Sequence, residues 1–291
     1  MNHVFDLALS AILLAGLYAT MAYGLGLIYG VLRIVNLSHG GLIMAGAYMG
    51  WALHARLGLD PYLSIPIVLA ASFLAGVAIY LGLVRHLPRG AAGAVQSLLL
   101  LFGVWLLLRN AAYLIFTGND VAIQTSYSTD AVRIGASSVS VNRVAVFFVA
   151  LASLGALWAL LARTQLGKAI RAVAQNADSC TLVGIDVQRV YALTFGIGSA
   201  LAGLAGLLGG TIVAFNPTFG SGELLKSFVV VVLGGLGSVA GTAAAALVLA
   251  LVEVFAILFL PAYLTTAVGF VLLVLVLILR PGGLFGQRVL G

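Results

Sequence analysis

Apolar residues run along this chain in long unbroken stretches, and the information lies in the breaks between them. The runs cover about 7–29, 41–53, 62–84, 94–116, 144–161, 190–215, 224–233, 240–260 and 264–279. They do not alternate polar with apolar residues, so they read as helices rather than as barrel strands. A helix rises about 1.5 Å per residue and a bilayer core is about 30 Å thick, so a crossing takes about 20 residues. The long runs meet that requirement, whereas 41–53 and 224–233 are too short to cross alone. The pattern predicts an all-α polytopic membrane protein, one domain over 1–291, with about eight or nine membrane segments.

Both short runs adjoin unusual breaks. The first is Asn36-Leu37-Ser38-His39-Gly40-Gly41, and the second is Gly234-Gly235-Leu236-Gly237-Ser238. A short, interrupted hydrophobic segment in each half points to a transport site near the midplane, between inverted repeats. No residue-by-residue repeat is legible, so the inverted repeat rests on these breaks alone. If they lie within the membrane they must be buried in protein or line a cavity, because lipid leaves bare backbone unsatisfied. If they are surface loops, they carry no such meaning.

Composition narrows the class. Apolar residues make up 63% of the 291 and charged residues 8%, against about 25% charged in an ordinary soluble domain. Mean hydropathy is +1.18. These values exclude a soluble enzyme, a disordered chain and a nucleic-acid-binding domain; lipid, not nucleic acid, is the expected surroundings. The balance of Lys+Arg 14 against Asp+Glu 8 then serves topology. Arg85 and Arg89, then Arg163, Lys168, Arg171 and Arg189, then Arg280 and Arg288 mark three cytoplasmic stretches. The polar stretches 117–142 and 216–223 fit the outside. The N-terminus is thus expected outside and the C-terminus inside, in a bacterial inner membrane. Residues 1–6 lack a basic n-region, so the first run reads as a membrane helix and not as a cleaved signal.

Catalytic constellations are missing. His3, His39, His54 and His86 have no partners at metal-ligand spacing, and Cys180 is the only cysteine. No phosphate-cradling Gly-rich loop ending in Lys-Ser or Lys-Thr occurs, so the chain is not expected to hydrolyse nucleotide itself. The Gly26/Gly30 and Gly206/Gly210 spacings suit helix packing. Glu253, deep in the run 240–260, has two readings: a site carboxylate, or a neutral glutamate hydrogen-bonded between helices. His39 is a gate or a structural anchor. Asn36 and Ser38 are placed to cap a helix starting near Gly40, whose positive end can meet a substrate carboxylate. Arg109, about two turns before Thr117, is read as snorkelling outward.

The longest polar stretch on the expected inner side is 163–189. Residues 169–177 favour helix, and Asp178 or Ser179 can cap a second short helix ending at Gly184. Two short helices there form a knob able to dock on another protein. The other reading is a connecting loop whose charges only set topology.

Several of these segments resemble one family. Residues 26–48, GLIYGVLRIVNLSHGGLIMAGAY, resemble the N-terminal signature of the permease subunits of branched-chain amino acid ABC importers, of the LivH type. LGKAIRAVAQNADSCTLVGIDVQRVYALTF, 166–195, is similar to their cytoplasmic loop. The stretch ending at Glu253 and the RPGGLFG at 280–286 are similar to their later signatures, and the order is kept across the chain. The resemblance implies a second permease subunit, two cytoplasmic ATPases that use the ATP, and a substrate-binding protein. It implies no cofactor on this chain. It makes 166–189 the ATPase-coupling loop, with Lys168, Arg171, Asn176, Asp178, Thr181, Gly184 and Ile185 as contacts. Asn36, Ser38, His39, Gly40, Gly234, Gly235, Gly237, Ser238 and Glu253 are the candidates for the pathway. The implied cargo is a branched-chain or other hydrophobic amino acid, with urea, short amides or aromatic acids as rivals. Two departures stand out. Gly41 replaces the glutamate that often follows His-Gly, and Gln175-Asn176 replaces an acidic pair in the loop.

Overall fold

A computed structural model of the chain describes residues 2–88, 91–128, 130–134, 137–235, 237–280 and 282–284. Arg89, Leu236 and Arg288, and the last residues of the C-terminal motif, lie outside the described residues. Eleven α-helices are described. They are α1 (Asn2–Leu32), α2 (Ser38–Leu57), α3 (Ile65–Gly82), α4 (Ala91–Phe116), α5 (Val141–Arg163), α6 (Gln165–Gln175), α7 (Ala177–Leu182), α8 (Val187–Gly210), α9 (Phe219–Gly234), α10 (Val239–Ala256) and α11 (Ala262–Leu279). Among the described residues six helices, α1, α3, α4, α5, α8 and α10, are long and apolar enough to cross a membrane. The expected polar stretch 117–142 holds a small antiparallel hairpin, β1 (Ala131–Ile134) with β2 (Ser137–Ser140), in the register Val132↔Val139.

Two expected short runs are longer than the hydrophobic pattern showed. The run 41–53 is the middle of a 20-residue helix. Its polar end, with His54 and Arg56, hid its length; His54 reaches the carbonyls of Leu59 (3.0 Å) and Gln124 (2.9 Å). The run 224–233 belongs to a 16-residue helix. Phe219-Gly-Ser-Gly-Glu223 has loop composition, but it is helical because tertiary packing overrides propensity. Part of 216–223 is therefore not an external loop.

The centre of the bundle is α8, buried along nearly its whole length, while α4 and α5 are largely exposed. Lipid tails are as apolar as leucine, so helices in a bilayer gain from close fit more than from hiding apolar surface. Small residues on α8 provide that fit. A Cβ on Gly206 would stand 1.8 Å from the Ile43 carbonyl oxygen, and one on Gly46 would stand 2.1 Å from that of Gly203. Only glycine permits this approach of α2 to α8. Outward-facing Leu99, Leu107, Leu114, Ile278 and Leu279 give the exterior the character a bilayer requires.

The packing repeats with inverted sense: α1 ends and α8 begins at one cluster, where Val31 meets Val187 and Val190. α3 packs on α8 as α10 packs on α1, α2 lies on α8 as α9 lies on α1, and the pairs α1·α8 and α2·α9 close the set. In each half a long helix is followed by a non-helical return, 33–37 or 211–218, and then by a second helix that starts inside the bundle. This is the inverted repeat that two interrupted segments suggested.

Candidate functional site: a buried helix break and a two-helix knob

α1 serves as a ruler through the molecule. Its last turn is at the knob end: the Arg33 guanidinium reaches the Ala174 carbonyl on α6 (3.5 Å). The chain then turns back along α1, beginning with Arg33 at φ 57°. Six residues later His39 Nε2 is 2.9 Å from the Met21 carbonyl. Met21 is 12 residues up α1 from Arg33, or about 18 Å, a span that this return can cover when extended. A carbonyl only accepts, so Nε2 carries a proton; Nδ1 is buried without a partner.

The first break thus lies inside the bundle, and Asn36, Ser38 and His39 are fully buried. Gly40 meets Gly220, the second residue of α9: a Cβ on Gly40 would stand 2.4 Å from the Gly220 carbonyl oxygen. The N-termini of α2 and α9 therefore touch, and the two helices run toward opposite ends. The expected capping is not made. The residue before α2 is Leu37, without a side-chain cap, and the Ser38 hydroxyl donates to Asn36 Oδ1 (2.6 Å) instead. Those polar groups are spent on each other, and Asn36 Nδ2 has no partner.

The second break is elsewhere. Gly234 packs against Gly241, and Gly235 is buried. Gly237 is exposed and lies near Gly30, at the knob end of α1. Ser238 accepts from the Gly241 amide (3.0 Å), capping α10. Leu284 from the C-terminal motif donates to the Leu233 carbonyl (2.8 Å), closing over this turn. Glu253 is in the last turn of α10, which stops at Ala256, and lies beside the middle of α1 at Tyr18. It is buried and accepts a 2.5 Å hydrogen bond from the Tyr18 hydroxyl. The pathway candidates do not form one cluster. They are strung along α1: Glu253 at Tyr18, His39 at Met21, and Gly237 at Gly30. Arg109 lies on α4, its guanidinium 5.0 Å from the Trp105 ring centroid.

The knob is built from α6 and α7. Thr164 caps α6 by accepting from the Gly167 amide (3.0 Å). Ile170, Val173 and Cys180 are buried in one cluster with Val31 of α1 and Val187 and Val190 of α8. The cap of α7 is Asn176, not Asp178 or Ser179: Asn176 Oδ1 accepts from the Ser179 amide (2.9 Å). Gly184 (φ 81°) ends α7, the Ile185 amide donates to the Cys180 carbonyl (3.0 Å), and Asp186 caps α8. Lys168, Arg171, Asn176, Asp178, Thr181 and Gly184 are exposed, with Ile185 half-buried. Sequence reasoning missed the tip, Leu182 and Val183, which are 88% and 76% exposed. Two apolar residues interrupting a polar stretch were the available signal. Replacing Asn176 by alanine is expected to cost α7 about 1 kcal/mol. Amide exchange in 177–182 should then quicken about fivefold, with α8 unchanged.

Sequence reasoning also missed a cluster beside the break, on the side away from the knob. Glu223, taken for loop, and Lys226 lie on the first turns of α9, 3.2 Å apart, and Lys226 Nζ is 5.3 Å from the Tyr18 ring centroid. Beyond it, burial pushes the Tyr127 phenol above its ordinary range, and its hydrogen bond to Asp60 (2.5 Å) adds to this.

The comparisons with known proteins agree with this architecture. Residues 7–279 match the family described as "Branched-chain amino acid transport system / permease component". The chain is 31% identical to the high-affinity branched-chain amino acid transport system permease protein BraD of Pseudomonas aeruginosa, over 98% of this chain and 96% of that protein. It is 30% identical to LivH of Escherichia coli K12, the corresponding named permease, over 96% and 94%. It is 27% identical to the ribose import permease protein RbsC of Escherichia coli K12, over 79% and 71%. No solved structure is significantly similar. With an inverted helical repeat, an internal helix break and a match across nearly its whole length, this integral membrane protein belongs to the family of branched-chain amino acid transport system permease components.

Proposed function

We propose that the chain is one membrane-spanning subunit of an ATP-driven importer that carries branched-chain or other hydrophobic amino acids across a bacterial inner membrane. It works with a second permease subunit, two cytoplasmic ATPases that consume the ATP, and a substrate-binding protein. The knob end is cytoplasmic, and the N-terminus is external. Arg33, Arg85, Lys168, Arg171 and Arg189 all belong to that end, which supports this orientation.

The observation that carries the proposal is the physical link between knob and break. The knob shares a buried apolar cluster with the ends of α1 and α8. Those two helices also hold the polar break, through the Met21 carbonyl and through Gly198, which packs against Gly24 beside His39. A movement of docked ATPases that displaces α6 and α7 therefore displaces α1 and α8, because close-packed elements shift as units. The meeting point of Gly40 and Gly220 then parts or closes, giving access to one side at a time. The binding protein supplies most of the selectivity. The ribose-named relative supports this, since one architecture serves more than one cargo class.

The test is co-expression with the two ATPases, the second permease and the binding protein, followed by uptake assays with labelled leucine, isoleucine, valine, phenylalanine and urea. Saturable uptake of the aliphatic amino acids, with urea excluded, is the expected result. Urea uptake with no aliphatic uptake replaces this cargo with the rival one. Failure of the ATPases to co-purify refutes the assembly.

A further inference from the structure

The acid–base cluster on α9 and α10 lines a cavity of about 390 Å³ on the side away from the knob. Its polar wall includes Ser10, Tyr18, Arg143, Glu223, Lys226 and Glu253, and the rest is largely leucine, valine and isoleucine. The cavity is open on one side, where Ile257 and Val213 are exposed. It falls within the range of small-ligand pockets, about 300–1,000 Å³.

We propose that this cavity is a subsite for an α-amino acid with an aliphatic side chain, entering from the external face; this rests on the import reading above. Three observations carry it. First, the shielded part of the wall holds Glu223 and Glu253 against Lys226, while Arg143 is exposed. An ammonium group supplies the cation that the shielded part lacks, and the carboxylate of the same zwitterion meets the exposed arginine. Second, the acids and bases are already tied into a chain: Glu223 to Lys226, Lys226 over the Tyr18 ring, and the Tyr18 hydroxyl to Glu253 Oε2. The other oxygen of Glu253, Oε1, is buried without a partner, in a residue only 7% exposed. A lock between helices would satisfy both oxygens, while an ammonium group supplies the donor that is lacking. Third, the apolar part of the wall suits a branched hydrocarbon tail. The ammonium is thus assigned to Glu253, the carboxylate to Arg143 and Lys226, and the side chain to the apolar wall.

Two variants of the assembled importer test this in proteoliposomes with leucine-loaded binding protein. Glu253→Gln keeps the size and the acceptor for Tyr18 but removes the charge. Ile257→Trp fills the cavity from a wall residue that is 57% exposed, so it leaves every charge in place. Leucine molecules moved per ATP hydrolysed should fall at least about tenfold in each, with the complex assembled and its melting temperature within a few degrees of the parent. Parent-like stoichiometry in both variants overturns the subsite. So does a drop in assembly, melting temperature and uptake in step, because that marks a structural lock. If the parent importer itself shows no ATP-driven leucine uptake, the import reading fails first and the subsite fails with it.

Discussion

Replacing Leu182 and Val183 together by aspartate is expected to weaken ATPase attachment about a hundredfold or more and to reduce ATP-driven uptake to background. Both side chains stand at the tip of the knob, 88% and 76% exposed. Burying a leucine or valine is worth about 1.5–3 kcal/mol each, so two docked side chains account for about 3–6 kcal/mol, and every 1.4 kcal/mol is tenfold in affinity. Introduced carboxylates add a desolvation penalty. Neither residue belongs to the buried cluster formed by Ile170, Val173 and Cys180, so insertion and melting temperature should hold. Removing the whole stretch 166–189 is a poorer test, since it also takes away that cluster. Pull-down of the ATPases by tagged double variant, against Leu182→Met as control, reads the effect. Full-yield co-purification of the double variant places the docking surface elsewhere.

Gly40→Ala and Gly220→Ala should each disable transport and lower the melting temperature of the solubilised chain. A Cβ at Gly40 would meet the Gly220 carbonyl oxygen at 2.4 Å and the Leu224 Cβ at 2.9 Å; one at Gly220 would meet the Gly40 carbonyl oxygen at 2.0 Å. The atoms in the way are backbone or close to it, so they cannot rotate aside, and overpacking of this kind costs about 1–3 kcal/mol. Gly103→Ala and Gly155→Ala serve as controls, because nothing stands within 4 Å of a Cβ at either position. Equal behaviour of the two pairs would mean that the helix meeting point does not constrain the fold.

The helical class and the apolar spans are legible in the sequence because membrane helices must satisfy their own backbone and show lipid an apolar face. The first break is also legible: Asn36, Ser38 and His39 are too polar for lipid, and they are fully buried. What the pattern hides is packing. Gly220 to Glu223 read as loop because propensity is local, whereas their helix is held by Gly40 and Met44 across the bundle. For the same reason Asn36 and Ser38 resemble caps although they bond each other. The partnership of Glu253 with Tyr18, 235 residues away, leaves no local trace. Glu223, Lys226 and Arg143 escaped notice because two separate segments, α9 and α5, bring them to one cavity.

The most direct test of the account is initial uptake of labelled leucine by proteoliposomes that hold this chain, its second permease, both ATPases and the loaded binding protein. Uptake should require hydrolysable ATP, stop with a nonhydrolysable analogue, and continue unchanged when a protonophore collapses the ion gradients. Uptake that persists without ATP and is abolished by the protonophore would contradict it, because the chain would then be a gradient-driven carrier.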